Sequence, residues 1–339
     1  MNCAIIGCGR IAPIHADALR QTPIAKLIAC ADIHLHTAEA FAAQYAIKPY
    51  TDYKVMIQEI QPEVIHICTP HHLHVEMAEY ALCRGIHVLM EKPAAISRAG
   101  FLTLINAEQI SKARIGICFQ NRYNASIQRL KELIENQEAG AVLGARCVLT
   151  WQRDVDYYSD DWHGKQATEG GGVLMNQAIH TMDLLVHLLG APCEVQAAMH
   201  NRHLQGVIEV EDTLEAYIRF GQSPALFYAS LAYCTDAPVL LEVVCEKATY
   251  QLQGEQLTII SAKGQPITTD YTVRLENGMS YWGTSHRLLI QDFYRALNEG
   301  TPFPITPSSI IDTMNLVYGC YDSARSGKPI ELKDRMEPS

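Results

Sequence analysis

The clearest chemical signal in the sequence is the tripeptide Glu91-Lys92-Pro93. A charged pair ends the apolar run of residues 86–90, and the proline fixes the turn that follows. A lysine that is partly desolvated at the end of a strand can have a lowered pKa and can exchange a proton with a substrate hydroxyl. The alternative interpretation is a lysine that closes the strand in a surface salt bridge.

A glycine-rich turn lies between the first apolar run and the first helical run. Gly7, Gly9 and Ala12 match the fingerprint G-x-G-x-x-G/A, in which the glycines allow a tight turn and a close approach to a pyrophosphate. Asp32 follows 23 residues after Gly9, where a carboxylate binds ribose hydroxyls and repels a 2′-phosphate. The turn predicts NAD in preference to NADP. A structural turn with an unrelated surface aspartate is the alternative.

A histidine-rich segment follows another apolar run and begins with Thr69 and Pro70. It lies where a parallel sheet presents its carboxyl edge, at which ligands of such folds bind. Its three histidines suggest a metal site at first. However, neighbouring side chains on an extended loop point apart, and no acidic residue or cysteine follows at a spacing usual for zinc ligands. We therefore predict a ligand-binding loop without a metal.

Polar residues open an otherwise apolar helical run at residues 173–189. A triple glycine at residues 170–172 precedes this run and allows a close approach. Asn176 and His180 are four residues apart and are expected to share one helix face. The pattern favours a substrate-facing helix end. The alternative for His180, and for His187 beyond it, is a structural histidine whose hydrogen bonds are made within the protein.

The elements that position these residues change in character near residue 120. Before it, continuous apolar runs alternate with amphipathic helical runs, which predicts right-handed crossovers and a doubly wound parallel sheet. After it, residues 213–220 alternate apolar and polar side chains, as in a sheet with one covered face. We predict an α/β domain over residues 1–120 and an α+β domain over residues 121–339.

The composition fits an ordinary globular protein of about two domains, with 339 residues of which 48% are hydrophobic. The net charge of −10, without a basic block, makes nucleic acid and anionic membranes poor partners. No apolar run approaches the roughly 18 residues that span a bilayer, and the start lacks a signal-peptide pattern. The 11 cysteines include no C-x-x-C pair. We expect a cytoplasmic protein with reduced core thiols.

Five motifs in a fixed order carry a family resemblance. They are the glycine turn with His15, Thr69-Pro70 with His74, Glu91-Lys92-Pro93, Gln120-Asn121-Arg122-Tyr123, and the triple glycine followed by His180. Together they resemble the family of glucose-fructose oxidoreductase, inositol dehydrogenase and the rhizopine-catabolism protein (Gfo/Idh/MocA). The resemblance implies an N-terminal Rossmann domain and a C-terminal domain with an open-faced, mostly antiparallel sheet. It also implies NAD(P)-dependent oxidation or reduction of a sugar or cyclitol by a homodimer or homotetramer.

The resemblance further implies roles for individual residues. Lys92, whose peptide bond to Pro93 is usually cis in the family, is expected to touch the nicotinamide ribose and the substrate. Lys92 and His180 are the expected catalytic residues that transfer the substrate proton. Expected cofactor contacts are Gly7, Gly9, Arg10, Ile11, Ala12, Asp32, Thr69, Pro70, His71, His74, Glu91 and Lys92. Expected substrate contacts are Lys92, Arg122, Tyr123, Trp162, His163, Asn176 and His180.

Departures from the family pattern bear on the substrate. Many members carry aspartate where this chain has Asn176, which can bind a hydroxyl but cannot stabilise an imidazolium by charge. Lys92 is therefore expected to carry more of the proton transfer. Some sugar-nucleotide 3-dehydrogenases of the family look similar at this position, which points to oxidation at C3. His71 and His163 stand where the family commonly has asparagine and a cationic contact.

Two other functions are the alternatives to a sugar or cyclitol dehydrogenase. One is a non-catalytic, NAD-binding regulator, and the other is a reductase of a non-sugar carbonyl or unsaturated substrate. The intact Glu91-Lys92-Pro93 motif and His180 favour an enzyme over a regulator, because a sensor needs no acid/base pair for hydride transfer.

Overall fold

The computed structural model describes residues 1–272 and 285–332, which fold into two compact units. The first unit contains Met1–Gln120 and Ser285–Ile310, and the second contains the other described residues. The sequence pattern predicts two contiguous domains that meet near residue 120. The chain does pass to the second unit there, but Ser285–Ile310 returns to the first unit.

The first unit alternates strands with helices. Its strands are β1 (Asn2–Ile6), β2 (Lys26–Ala31), β3 (Lys48–Tyr50), β4 (Val64–Ile67), β5 (His87–Met90) and β6 (Ile115–Ile117). Its helices are α1 (Ala12–Arg20), α2 (Leu35–Tyr45), α3 (Tyr53–Ile60), α4 (His74–Leu82), α5 (Arg98–Ile110) and the returning α8 (Ser285–Glu299).

The six strands of the first unit form one parallel sheet in the order β3-β2-β1-β4-β5-β6. The doubly wound parallel sheet predicted from the sequence is therefore confirmed. The strand order reverses between β1 and β4, and ligands of such sheets bind at the carboxyl ends beside this point. The glycine turn follows β1, and the histidine-rich segment follows β4, so both lie at this edge.

Burial on both sides explains why the strands read as continuous apolar runs. In β1, Cys3 and Ile5 point to one face of the sheet and Ala4 points to the other, and all three side chains are fully buried.

Polar caps define where two helices begin. Asp52 accepts hydrogen bonds from the first backbone N–H groups of α3, and Ser97 accepts one from α5.

The second unit is an α+β structure. Its strands are β7 (Val142–Thr150), β8 (Glu194–His200), β9 (Thr213–Phe220), β10 (Ser223–Ser230), β11 (Leu240–Cys245), β12 (Ala248–Gln253), β13 (Gln256–Ser261), β14 (Ile267–Asp270) and β15 (Ile330–Glu331). Its helices are α6 (Ala125–Glu135), α7 (Ile179–Leu189) and α9 (Ile311–Ser326).

The strands of the second unit form one sheet in the order β14-β13-β12-β11-β7-β10-β9-β8-β15. Among its described neighbours, β7 and β10 are parallel and the other pairs are antiparallel. The mostly antiparallel sheet predicted from the sequence is therefore confirmed.

Helix α9 covers one face of this sheet at β8. A Cβ atom on Gly319 of α9 would lie 2.5 Å from the side chain of Leu332 and 3.2 Å from that of Val195 in β8, so glycine lets α9 lie close to the sheet without displacing these side chains. The opposite face carries exposed apolar side chains: Tyr217 and its cross-strand partner Leu226 are 43% and 59% exposed. An open face of this kind leaves apolar surface for another contact.

Two further properties concern the chain as a whole. None of its described helices combines the length and the apolarity that a membrane crossing needs. All 11 cysteines are free. Eight are buried, as expected of core thiols, whereas Cys193 is half-buried and Cys83 and Cys234 are exposed.

Candidate active site

The glycine turn after β1 contains Gly7 and Gly9, and the structure suggests a different reason for glycine at each position. Gly7 has φ +87°, and a Cβ atom there would lie 2.6 Å from the carbonyl oxygen of Cys68, so the fold itself requires glycine. Around Gly9, no atom of the described residues apart from its chain neighbours lies within 4 Å of the Cβ position, and its φ is not positive. The packing of the protein therefore does not require glycine at position 9, and the open space beside it gives a ligand room to approach the backbone closely. This is the fit that a dinucleotide pyrophosphate needs.

Asp32 lies at the end of β2 beside the glycine turn. Its Oδ2 accepts a hydrogen bond of 2.9 Å from the backbone N–H of Cys8, and its Oδ1 accepts one of 2.9 Å from the N–H of His34. The side chain is half-buried. Because each carboxylate oxygen can accept more than one hydrogen bond, this fixed carboxylate can also bind ribose hydroxyls.

The remaining predicted cofactor contacts of the turn begin α1. Arg10 is exposed, Ile11 is half-buried, and Ala12 is fully buried against the sheet. Ile11 occupies the N-cap position of α1, and no side chain among the described residues caps this end. A helix start without a side-chain cap suits an anion, since backbone N–H groups and the helix dipole point towards it.

His74 connects two loops at the carboxyl edge of the sheet. Its ring is fully buried, with Nδ1 2.8 Å from the Pro93 carbonyl oxygen and Nε2 2.9 Å from the Thr69 carbonyl oxygen. Burial lowers the pKa of His74, although the two carbonyl groups oppose this shift. We infer that His74 positions the Thr69 and Pro93 loops, because both ring nitrogens already contact protein atoms. Its neighbour His71 is also buried, while Thr69 and Pro70 are half-buried.

Glu91 is a buried carboxylate with several donors. Its Oε1 lies 3.0 Å from His15 Nε2 and 3.3 Å from His286 Nε2, and its Oε2 accepts from the Lys92 N–H at 3.3 Å. Burial alone would raise the pKa of Glu91, but the hydrogen bond from His15 and the electrostatic effect of the nearby His286 ring prevail and hold this pKa well below its usual range. The residue therefore carries a negative charge directly before the predicted catalytic lysine.

A chain of buried hydrogen bonds extends behind Glu91. His15 Nδ1 lies 2.8 Å from His66 Nδ1, and His66 Nε2 lies 3.1 Å from the hydroxyl of Tyr294 in α8. Burial lowers the pKa of His66 well below its usual value and raises that of Tyr294, so both are neutral.

The charge of Glu91 fixes one donor in this chain. An ionised Glu91 can only accept, so His15 donates to it from Nε2. The side chains of Tyr294, His66, His15 and Glu91 thus form one hydrogen-bonded row, which the charge of Glu91 polarises.

The same region contains side chains of metal-ligating type. One ligand atom from each of His15, Glu91 and Cys118 lies within 4.8 Å of the others. Both ring nitrogens of His15 also lie at hydrogen-bond distance from protein groups, Nε2 from Glu91 and Nδ1 from His66. The prediction of no metal stays a prediction.

Lys92 follows β5 at the carboxyl edge of the sheet and is half-buried. Its peptide bond to Pro93 is cis, as the family resemblance implies. Glu91, Lys92 and the Thr69 loop therefore meet at the same edge as the glycine turn, because all of them follow parallel strands of one sheet.

In the second unit, the predicted residues Trp162, His163 and Asn176 belong to one aromatic and polar cluster. The rings of Trp162 and His163 lie 3.7 Å apart, and the His163 ring lies 4.9 Å from that of Tyr157. The Tyr157 hydroxyl lies 3.5 Å from Asn176 Nδ2 and 3.3 Å from Gln177 Nε2. Tyr157 and Gln177 complete the cluster, and the sequence analysis does not identify them.

Glu169 is another member of this cluster that sequence reasoning misses. It is 1% exposed, its Oε1 accepts from Asn176 Nδ2 at 2.6 Å, and its Oε2 accepts from the Gly164 N–H at 2.5 Å. The aspartate that the family often carries at position 176 is absent, but a carboxylate is present on the neighbouring loop. The only sequence signal is its position directly before the triple glycine.

The helix that carries Asn176 and His180 is not regular. Leu174–Ala178 form a π-helical turn, in which the Ala178 N–H donates to the Val173 carbonyl oxygen at 2.7 Å, and α7 begins only at Ile179. The expectation that Asn176 and His180 share one helix face assumed α-helical spacing. The π-helical turn contains one more residue than an α-helical turn, so it shifts the position of His180 around the helix relative to Asn176. His180, in the first turn of α7, is half-buried.

The triple glycine before this turn is required by the protein itself. A Cβ atom would lie 1.9 Å from the Tyr321 hydroxyl at Gly171 and 1.8 Å from the Glu211 carbonyl oxygen at Gly172. The Glu211 carboxylate also accepts from the N–H groups of Gly172 and Leu174 at 2.9 and 3.0 Å. The glycines thus allow Glu211 to hold the start of the helix, whereas the sequence analysis favours a close approach by substrate.

Arg122 is a predicted substrate contact whose guanidinium is engaged by the protein. Its Nε and Nη2 lie 2.7 and 2.5 Å from the two carboxylate oxygens of Asp183 in α7. Tyr123, beside it, is half-buried. The structure therefore gives Arg122 a buried ion pair, and the segment 120–123 is anchored through it.

The fold and the glycine turn define a dinucleotide-binding domain that is joined to an α+β domain. The family model for the oxidoreductase family with an NAD-binding Rossmann fold matches residues 1–119, and the GFO/IDH/MocA C-terminal domain matches residues 127–251. The chain therefore belongs to the Gfo/Idh/MocA family, and the predicted NAD-binding Rossmann domain is confirmed.

Relatives in this family are similar over part of their length. D-glucoside 3-dehydrogenase of Escherichia coli is 27% identical over 205 residues, which is 59% of this chain and 57% of that protein. Inositol 2-dehydrogenase of Salmonella typhimurium is 33% identical over 147 residues, 42% of this chain and 44% of that protein. The chain thus spans about half the length of these curated relatives.

A solved structure shares the fold of the whole chain. Levoglucosan dehydrogenase in complex with NADH and levoglucosan has a TM-score of 0.89 and 19% sequence identity, and the match covers 98% of this chain and 100% of that one.

Proposed function

We propose that this protein is an NAD-dependent dehydrogenase that transfers hydride between the nicotinamide and a secondary hydroxyl of a sugar, sugar derivative or cyclitol. The observation that carries the proposal is the placement of Gly9, Asp32 and Lys92 at one edge of one parallel sheet. The names of the relatives, a glucoside 3-dehydrogenase and an inositol 2-dehydrogenase, support the substrate class.

The cofactor-binding residues divide by the part of the dinucleotide that they suit. Gly7, Gly9 and the start of α1 are suited to the pyrophosphate, and the Asp32 carboxylate is suited to the adenosine ribose. Asp32 also opposes a 2′-phosphate by charge, which favours NAD over NADP. When bound, NAD supplies the hydride acceptor.

Oxidation of an alcohol removes a hydride from the carbon and a proton from the hydroxyl. We assign the proton to Lys92 Nζ, with His180 as the second acid/base group. Glu91 is ionised and precedes Lys92, so its negative charge stabilises positive charge on the loop when the lysine takes the proton. Asn176 and His163 are proposed to bind the other hydroxyls of the substrate.

We further propose that the enzyme is cytoplasmic and forms a homodimer or homotetramer. The 11 free cysteines suit a reducing compartment. The exposed Tyr217 and Leu226 give the open sheet face an apolar character, which suits burial against a second copy. Light scattering on the purified protein measures the assembly, and Leu226→Glu is expected to dissociate it; an unchanged mass in that variant rejects the sheet face as the contact.

The experiment that tests the function is a screen for NAD reduction with inositols, aldoses, glucosides, sugar phosphates and nucleotide sugars. We expect reduction with members of one of these classes and little reduction of NADP. Tight NAD binding without reduction by any compound of the panel would instead support the NAD-binding regulator.

A further inference from the structure

Gln120 is a buried residue whose side-chain amide makes no hydrogen bond among the described residues. The residue is 6% exposed, and its Oε1 is buried without a partner in this part of the chain. Its Nε2 donates to none of these residues either. A buried polar atom without a partner is costly, and in native proteins it usually has a reason such as a bound ligand or water. The amide of Gln120 therefore indicates a ligand.

Gln120 follows β6 at the position that matches Lys92 after the neighbouring strand β5. Met90 pairs with Ile117 in the parallel sheet, and the Cys118 N–H donates to the Met90 carbonyl oxygen at 2.8 Å. Lys92 is two residues beyond Met90, and Gln120 is two residues beyond Cys118. Because neighbouring strands are about 4.8 Å apart, both residues leave adjacent strands at the same level of the carboxyl edge.

The order of the strands gives the direction of a dinucleotide along this edge. Asp32, which is assigned to the adenosine ribose, lies at the end of β2, and the glycine turn for the pyrophosphate follows β1. In the order β3-β2-β1-β4-β5-β6, the adenosine half therefore lies on the β2 side of the turn. The nicotinamide half extends to the other side, over the carboxyl ends of β4, β5 and β6. Gln120 lies on this side.

The chemistry of a glutamine side chain suits the polar group of the nicotinamide. This group is a carboxamide, which carries an NH2 donor and a carbonyl acceptor. The glutamine amide carries the same two groups, so each can bond to the other. A substrate hydroxyl can also donate to Oε1, but Gln120 belongs to the unit that contains the dinucleotide-binding turn.

We propose that the side-chain amide of Gln120 binds the carboxamide of the nicotinamide, with Oε1 accepting from its NH2 group. This contact restricts rotation of the nicotinamide ring about its bond to the ribose, and it thereby holds one face of the ring towards the substrate. The inference deepens the proposed function and rests on its assignment of Asp32 to the adenosine ribose.

A cofactor analogue tests the contact without any substrate. Acetylpyridine adenine dinucleotide has a methyl group in place of the carboxamide NH2. In calorimetric titrations, the wild type should bind this analogue about fivefold or more weakly than NAD, because the analogue leaves Oε1 without a donor. Gln120→Met should bind NAD about fivefold or more weakly than the wild type does, and it should bind the two dinucleotides equally within about twofold, since methionine offers no comparable acceptor.

ADP-ribose and a second glutamine variant are the controls. ADP-ribose lacks the nicotinamide but keeps the parts assigned to the glycine turn and Asp32, so Gln120→Met should bind it within about twofold of the wild type. Gln109 is an exposed glutamine of α5, and Gln109→Met should bind all three compounds as the wild type does. A loss of ADP-ribose affinity in Gln120→Met as large as the loss for NAD would reject a contact confined to the carboxamide.

Stability distinguishes a ligand contact from a structural role. A structural glutamine would have a protein partner, and its replacement by methionine would leave that partner unsatisfied and lower the urea midpoint. The described residues include no such partner, so cofactor-free Gln120→Met should keep the midpoint of the wild type or raise it. At equal NAD concentration, the midpoint of the wild type should rise more than that of the variant. A clearly lowered midpoint without cofactor would make Gln120 structural and would reject the contact.

The outcomes separate the carboxamide contact from the proposed function. If the wild type binds NAD and the analogue equally within about twofold, or if Gln120→Met leaves their ratio unchanged, the contact is rejected while the dehydrogenase stands. If Gln120→Met keeps its NAD affinity but has a raised KM for a substrate found by the screen, Gln120 serves the substrate and the contact is likewise rejected. If the wild type binds neither NAD nor ADP-ribose, the assignment of the dinucleotide site fails, and the proposed function fails with it.

Discussion

The guanidinium of Arg122 and the carboxylate of Asp183 form a buried two-point ion pair. The side chains are 11% and 1% exposed, and the Thr313 hydroxyl donates a third hydrogen bond to Asp183 at 2.8 Å. The pair joins the segment before α6 to the middle of α7 and to α9. Since both charges are desolvated, the loss of either partner leaves an uncompensated charge in the interior.

Arg122→Gln should therefore lower the free energy of unfolding by about 3–5 kcal/mol, as expected when one partner of a buried pair is removed. Urea denaturation measures this loss. Arg129→Gln, which alters an exposed arginine of α6, is the control and should change stability by less than about 1 kcal/mol. A stable Arg122→Gln protein with a strongly raised KM would show that Arg122 serves the substrate instead.

The fold of the first unit follows from local signals. Gly7 and Asp32 lie at the ends of recognisable strands, and the continuous apolar runs predict helices on both faces. The return of α8 (Ser285–Glu299) has no such signal, because an amphipathic pattern shows which face is apolar and not which sheet it will cover. The sequence pattern does not predict β3, because a strand of only three residues is too short to show a recognisable apolar run.

The candidate site is predictable only where its chemistry lies in contiguous motifs. Lys92 and Asn176 belong to such motifs. Arg122 has the residue type of a substrate contact, but its partner Asp183 is 61 residues away, and only tertiary structure brings the two together. Glu169 resembles any surface glutamate in the sequence, and its burial beside Asn176 depends on how the loop before the triple glycine folds back.

The second prediction concerns acid stability in the second unit. Burial, followed by the charge of Arg122, lowers the pKa of His187 to about 4. The unfolded chain binds that proton near its ordinary value of about 6.5, so the contribution of neutral His187 is present above this pH and is lost as the pH falls towards 4. The neighbouring charges are Arg122, Asp183, Lys131 and Glu135.

His187→Gln should reduce the loss of stability between about pH 6.5 and pH 4, because it removes one proton that the unfolded state takes up first. Urea midpoints at several pH values in this window provide the measurement. Replacement of the exposed His72 by glutamine is the control. If His187→Gln and the wild type lose stability in parallel on acidification, His187 does not remain neutral in the folded protein.

The third prediction compares the loss of stability at the two ends of the polarised row behind Glu91. His15→Phe removes the donor that helps to hold Glu91 ionised, and a buried carboxylate that loses its partner should cost about 3–5 kcal/mol of stability at neutral pH. Tyr294→Phe removes only the hydroxyl at the far end and should cost about 1 kcal/mol. Comparable losses in the two variants, measured by urea denaturation, would argue against a charge centred on Glu91.

The fourth prediction concerns the choice of cofactor. The wild type should bind NAD more tightly than NADP by more than about tenfold, because the Asp32 carboxylate repels the 2′-phosphate. Asp32→Ala should reduce the difference in affinity between NAD and NADP. Glu39 is an exposed acidic residue of α2, and Glu39→Gln should leave this difference unchanged. Calorimetric titration gives both dissociation constants, and values within a factor of about two for the wild type would refute the preference.

The last prediction assigns proton transfer to Lys92. Lys92→Ala should keep NAD affinity within about tenfold but lower kcat by on the order of 10²–10⁴, the usual contribution of a positioned acid or base. Lys112→Ala, at an exposed lysine, is the control for the lost charge. His180→Ala should lose rate as well, and its pH–rate profile shows which limb belongs to the histidine. Near-wild-type turnover in Lys92→Ala on the substrate found by the screen would make Lys92 structural and would leave His180 as the acid/base residue.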